Sequence, residues 1–164
     1  MKSPALYLRT IIFGIIDSLV STVGLLAGID VAGAPHTTIA LTGIIYAFVE
    51  AFSMAVGNFL SEESVEEYVA KKDIGGKNAF GAGTLMFVVF VMAAFIPILP
   101  YLIFTDYTAL VGSIVLSITA LFIVGAVSGR IAKLSVFSRG FRMALLGGVA
   151  IVIGTVVGLL VPTK

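Results

Sequence analysis

Residues 11–28 read IIFGIIDSLVSTVGLLAG, an apolar run long enough to cross a lipid bilayer that nevertheless contains a carboxylate, Asp17. A charged carboxylate inside a spanning helix costs roughly 3 kcal/mol, so Asp17 is expected to face protein, water or a cation. A cation or proton site is one interpretation, and a buried carboxylate satisfied by neighbouring hydroxyl groups is the other. In a helix, small and polar residues three or four apart share one face. They are Gly14, Asp17, Ser21, Gly24 and Gly28.

The overall composition is that of an integral membrane protein. The chain has 164 residues, of which 59% are hydrophobic and 12% charged, and its mean hydropathy is +1.15. A soluble domain of this size could not bury so much apolar surface. The absence of cysteine excludes disulfides, thiolate zinc sites and iron–sulfur clusters. We therefore expect one all-α transmembrane domain without a separate soluble domain.

Five apolar runs are each close to the 20 residues that a 30 Å hydrocarbon layer requires. We expect Pro97 and Pro100 to kink or end the third helix, because proline removes a backbone donor. The first run is expected to be a retained helix and not a cleaved signal peptide. The five predicted spans cover residues 8–29, 39–60, 79–104, 109–131 and 141–161.

The basic residues predict an orientation. If the spans alternate in direction, nine of the ten Lys and Arg residues fall on one side, and only Lys164 falls on the other. The links at 61–78 and 133–140 both lie on the basic side. By the positive-inside rule, the N-terminus is expected in the cytoplasm and the C-terminus outside.

The second span carries a carboxylate and a thioether one turn apart, Glu50 and Met54. Carboxylates alone suit hard ions such as Mg²⁺ or Ca²⁺, whereas an added thioether favours softer transition metals. Met54 has an alternative role, because methionine commonly fills gaps in packing. Whichever role Met54 has, the Glu50 carboxylate needs a partner at its depth in the membrane.

An acidic segment follows the second span. If the helix continues there, its glutamates form pairs at i, i+4 spacing, which repel slightly. They either receive cations or form a solvated helix end that Lys71, Lys72 and Lys77 balance. The glutamates are Glu62, Glu63, Glu66 and Glu67.

Three GxxxG pairs predict close helix packing. Each is as consistent with packing inside one protomer as with a dimer face. The pairs are Gly24–Gly28, Gly125–Gly129 and Gly154–Gly158.

Residues 17–28, DSLVSTVGLLAG, and 53–64, SMAVGNFLSEES, resemble the vacuolar iron transporter family. The family's first helix carries D-G-x-x-[ST]-x-x-G-L-x-x-G, and its second carries S-M-x-x-G-x-[YF]-[LV]-[SA]. Residues 140–158, GFRMALLGGVAIVIGTVVG, are similar to its fifth helix. The sequence departs from the family at Ser18, where the motif has glycine, and at Tyr46, where plant-type members carry a carboxylate. It also lacks the three-helix metal-binding domain of the long members.

The resemblance implies a homodimer of five-helix protomers that moves Fe²⁺, and sometimes Mn²⁺, out of the cytoplasm in exchange for protons. It also implies a path at the dimer interface lined by Asp17 and Met54, with metal-binding glutamates on the extension of the second helix. Glu50 lies one turn closer to Met54 than the family's carboxylate, and it is a further candidate ligand.

The expected function is therefore export of a divalent transition metal by proton antiport. We expect no enzyme activity, bound cofactor or nucleic-acid partner, and a prokaryotic inner membrane as the location. Two alternatives are a channel-like or proton-coupled small-solute transporter without metal, and a non-transporting membrane scaffold.

Overall fold

The computed structural model describes residues 3–71 and 76–161, and the regular elements in them are five α-helices. All five are long and apolar enough to cross a membrane, which confirms the predicted all-α transmembrane fold. The helices are α1 (Ser3–Val31), α2 (His36–Ala70), α3 (Lys77–Ile103), α4 (Tyr107–Ile131) and α5 (Val136–Leu160).

Several helices extend beyond the predicted spans. The acidic segment is helical, because α2 continues to Ala70 and ends where Lys71 adopts a left-handed conformation at φ 53°. A hydropathy window detects only the part that lies in lipid, whereas a helix can continue into water. The third helix passes through both prolines to Ile103. The α4–α5 link is shorter than predicted, because α5 begins at Val136, after the N-cap residue Ser135.

The first helix forms the centre of the bundle. It contacts all four other helices, and Leu19, Val23 and Leu26 on it are completely buried. The second helix packs chiefly against α3 and only lightly against α1, and no contact joins α2 to α5 within the described ranges. A lateral space therefore remains between α2 and α5, both of which flank α1.

Glycines bring α1 and α5 into backbone contact. A Cβ added at Gly28 would lie 2.6 Å from the Gly154 carbonyl oxygen, and one added at Gly24 would lie 3.0 Å from that of Ala150. On α4, a Cβ at Gly125 would lie 2.6 Å from the carbonyl oxygen of Arg139. All three GxxxG pairs thus pack helices together within the protomer.

The alternation of helix directions gives the bundle two distinct ends. We call the end with the α2–α3 and α4–α5 links the basic end, because described residues near it include Arg9, Lys71, Lys77, Arg130 and Lys133. The opposite end carries the α1–α2 and α3–α4 connections, residues 32–35 and 104–106, which contain no Lys or Arg.

Candidate functional site

Polar side chains of α1 and α2 meet in successive pairs between the two helices. Nearest the basic end, Arg9 Nη1 donates to Glu62 Oε1 at 2.8 Å. Next, Asn58 Nδ2 donates to Thr10 Oγ1 at 3.4 Å. Deeper still, the antiparallel register set by these two contacts brings Asp17 of α1 to the level of Glu50 of α2. Because the two helices run antiparallel, each step along α1 meets an earlier residue of α2.

The deepest of these polar pairs consists of the carboxylates of Asp17 and Glu50. Both side chains are partly buried, and like charges repel strongly where water is scarce. Ser21 does not neutralise Asp17, since its hydroxyl donates to the Asp17 backbone carbonyl at 2.6 Å. The Tyr46 hydroxyl lies beside Ser21. A cation or a proton would remove the repulsion.

Asp17 borders the space between α2 and α5. It precedes Gly24 by two helical turns, so both lie on the same face of α1, and Gly24 packs against α5. Asp17 also lies at the level of Glu50 of α2. An apolar groove of about 530 Å³ continues from Ser21 towards the opposite end, along the same face of α1 and the adjoining side of α5.

A second cavity, of about 370 Å³, opens between α1 and α2 towards the basic end. Met54 lines it together with Thr10, Asn58 and Met86; among the described lining residues, Glu50 is missing. Along α2, Met54 lies one helical turn nearer the basic end than Glu50.

The four predicted glutamates of α2 have different surroundings. Glu62 is buried against Arg9. Glu66 accepts a hydrogen bond from Asn78 Nδ2 at 3.2 Å, and the Glu63 carboxylate lies against Gly76 at the start of α3. Glu67 is partly buried. Nowhere in residues 3–71 and 76–161 do three His, Cys, Asp or Glu side chains form a group that could hold a metal.

The sequence did not predict a place in the site for Arg9, Thr10, Asn58 or the Tyr46–Ser21 contact. Helical spacing could have indicated Thr10 and Asn58. Thr10 precedes Asp17 by seven residues, and Asn58 follows Met54 by four, so each shares a helix face with a predicted site residue.

Comparisons with known proteins show which family the sequence resembles. The family model described as "VIT family" matches residues 8–74 and 69–159. Vacuolar iron transporter homolog 1 of Arabidopsis thaliana is 29% identical over 155 residues, covering 88% of this chain and 77% of the relative. Vacuolar iron transporter homolog 3 of the same plant is 28% identical over 160 residues, covering 91% and 80%. Since the family model spans nearly the whole helical bundle, this chain belongs to the VIT family.

Proposed function

We propose that this protein transports a divalent transition metal, preferentially Fe²⁺, out of the cytoplasm while protons move the other way. The observation that carries the proposal is the Asp17–Glu50 pair, two carboxylates at the same level of adjoining membrane-spanning helices. Intramembrane carboxylates typically mark ion pathways and proton relays. The names of the Arabidopsis relatives support iron as the metal.

Charge balance suggests how metal and protons are coupled. Two ionised carboxylates carry a charge of −2, which one divalent metal ion neutralises. Two protons neutralise the same pair, and metal ligands must be deprotonated to bind. Asp17 and Glu50 therefore hold either the metal or protons, and protonation from the far side releases the metal.

The metal reaches the pair from the basic end through the cavity that Met54 lines. Its thioether offers a soft ligand on the way, which favours transition metals over Mg²⁺ or Ca²⁺. Glu63, Glu66 and Glu67 attract cations to the mouth of this cavity. Glu62 holds α1 and α2 together there through Arg9.

We further propose that the protein acts as a homodimer, with the partner seated against the space between α2 and α5. The Asp17–Glu50 pair borders this space, and the apolar groove beside it can receive an apolar helix. A twofold axis would present the same residues from both protomers. The metal would then have two copies of Asp17 and Met54, which supplies the ligands that one protomer lacks.

The proposed orientation places the basic end in the cytoplasm, as the positive-inside rule requires. An introduced cysteine at Asn78, which is exposed at that end, should react with an impermeant maleimide only after the membrane is permeabilised. Thr105→Cys at the opposite end should react in intact cells, and native cysteines do not interfere because the chain has none. Labelling of Asn78→Cys from outside would reverse the proposed orientation.

The direct test of transport is Fe²⁺ uptake into proteoliposomes under an imposed pH gradient, with internal pH recorded at the same time. The proposal requires Fe²⁺ flux and opposing proton movement that depend on each other. Proton-coupled flux of another solute without metal would favour the small-solute transporter, and no flux at all would favour the scaffold.

Met54→Leu tests whether the thioether acts on the metal. Leucine keeps the volume and apolar character, so folding should change little. If sulfur binds the metal in transit, the Fe²⁺/Mn²⁺ transport ratio should fall several-fold, because Mn²⁺ depends less on soft ligands. Met86→Leu in the same cavity is the matched control. An unchanged ratio in Met54→Leu would leave Met54 with a packing role.

A further inference from the structure

A second group of ligand-type side chains lies at the opposite end of the bundle, around the α1–α2 turn. Asp30 is in the last turn of α1, and His36 is the first residue of α2. The turn between them is tight, since Gly33 N donates to the Asp30 carbonyl at 2.9 Å. Gly33 has φ 88°, a conformation that suits glycine. The turn therefore brings Asp30 and His36 to the same end of adjoining helices.

Tyr101 of α3 contacts both of these residues. It is only 4% exposed, and its hydroxyl faces the Asp30 carboxylate. Its ring centroid lies 6.3 Å from that of His36. Three different helices thus bring a carboxylate, an imidazole and a phenol to one place.

One polar atom of each side chain is buried without a hydrogen-bond partner: Asp30 Oδ2, His36 Nδ1 and Tyr101 Oη. A buried polar atom without a partner is destabilising, and here three such atoms occur together. The carboxylate oxygen accepts only, and Nδ1 accepts when the imidazole proton is on Nε2. A cation bound between two acceptors would satisfy both at once.

The electrostatic surroundings also favour a cation. Neither connection at this end contains Lys or Arg. Asp30 follows Asp17 by thirteen residues along α1, a rise of about 20 Å. Leu26, Ile39 and Ile98, all completely buried, lie in the apolar cluster that adjoins Tyr101. The group is therefore separate from the Asp17–Glu50 pair.

We propose that Asp30 and His36 bind a divalent transition metal at this end of the bundle, and that Tyr101 positions the Asp30 carboxylate or a metal-bound water. Carboxylate and imidazole ligands suit Fe²⁺, Mn²⁺ and Zn²⁺. Since only two ligands come from the protein and water fills the remaining coordination positions, the bound ion exchanges readily with ions in solution. Its role as the site from which transported metal leaves rests on the proposed function, whereas the binding itself does not.

Pulsed EPR of bound Mn²⁺ tests the site directly, because His36 is the single histidine of the chain. The protein is purified without a histidine tag in a nitrogen-free detergent and titrated with Mn²⁺ alone. Coupling of the Mn²⁺ electron spin to imidazole ¹⁴N is expected in the unmodified protein and must vanish in His36→Gln. Bound Mn²⁺ without this coupling in the unmodified protein would overturn the proposal and leave water as the partner of the three buried atoms.

Further variants separate this site from the transport site. Asp30→Asn should weaken the imidazole-coupled Mn²⁺ binding more than tenfold, and Tyr101→Phe about tenfold, as expected for a group that orients a ligand. Asp106→Asn, which removes an exposed charge at the same end, should change affinity less than threefold. Unchanged affinity in Asp30→Asn would refute the assignment. Asp17→Asn should keep the coupling, because Asp17 lies far from His36. In the unmodified protein, imidazole coupling without any Fe²⁺ flux would contradict the transport proposal alone.

Discussion

Asp17→Asn should abolish metal-driven proton movement and reduce Fe²⁺ flux at least a hundredfold, while the protein still folds and assembles. Asparagine keeps the size and hydrogen-bonding capacity of the side chain but removes the charge and the titration. Glu50 would then face an amide, which leaves one charge where a divalent metal needs two. A neutral amide is also cheaper inside a spanning helix than a charged carboxylate. Stability should therefore be kept or increased.

The measurement is Fe²⁺ flux and internal pH recorded together in proteoliposomes of the variant. Asp106→Asn is the control, because its carboxyl group is exposed in the α3–α4 connection and lies outside the proposed pathway. Near-normal flux with normal proton countermovement in Asp17→Asn would refute the mechanism. Asp17 would then be a buried carboxylate with a purely structural role.

Gly154→Ala should strongly destabilise the bundle. Its added Cβ would collide with the backbone carbonyl oxygen of Gly24, which cannot move without displacing α1. Overpacking of this kind costs about 3 kcal/mol, more than the gain of about 1 kcal/mol in helix propensity when alanine replaces glycine. Because α1 also carries Asp17, any folded fraction should transport poorly.

Gly148→Ala on the same helix is a closely matched control. No atom lies within 4 Å of a Cβ built there, apart from the helix's own nearby backbone and chain neighbours, so the propensity gain should not be offset. Thermal unfolding followed by circular dichroism should place Gly154→Ala well below the unmodified protein and Gly148→Ala at or above it. Equal melting temperatures for the two variants would show that α1 and α5 can separate slightly at little cost.

Much of the architecture follows from local properties of the chain. Hydropathy over about 20 residues predicts the five spans, because the bilayer thickness imposes that length on a helix. The position of Asp17 inside the first span marks it as a residue that requires a partner, since the cost of its charge does not depend on the fold around it. Helical periodicity also places Asp17, Ser21 and Gly24 on one face.

The residues that each of these side chains contacts, however, depend on how the helices pack. Periodicity shows that Gly24 and Gly28 share a face of the first helix. Only the structure shows that this face packs against α5. The same holds for Glu62, which the sequence groups with its acidic neighbours but which pairs with Arg9. Tyr101 reaches Asp30 and His36 across more than 60 positions of the chain. Hydropathy and periodicity are local, whereas contacts between helices depend on the geometry of close packing, which brings distant residues together.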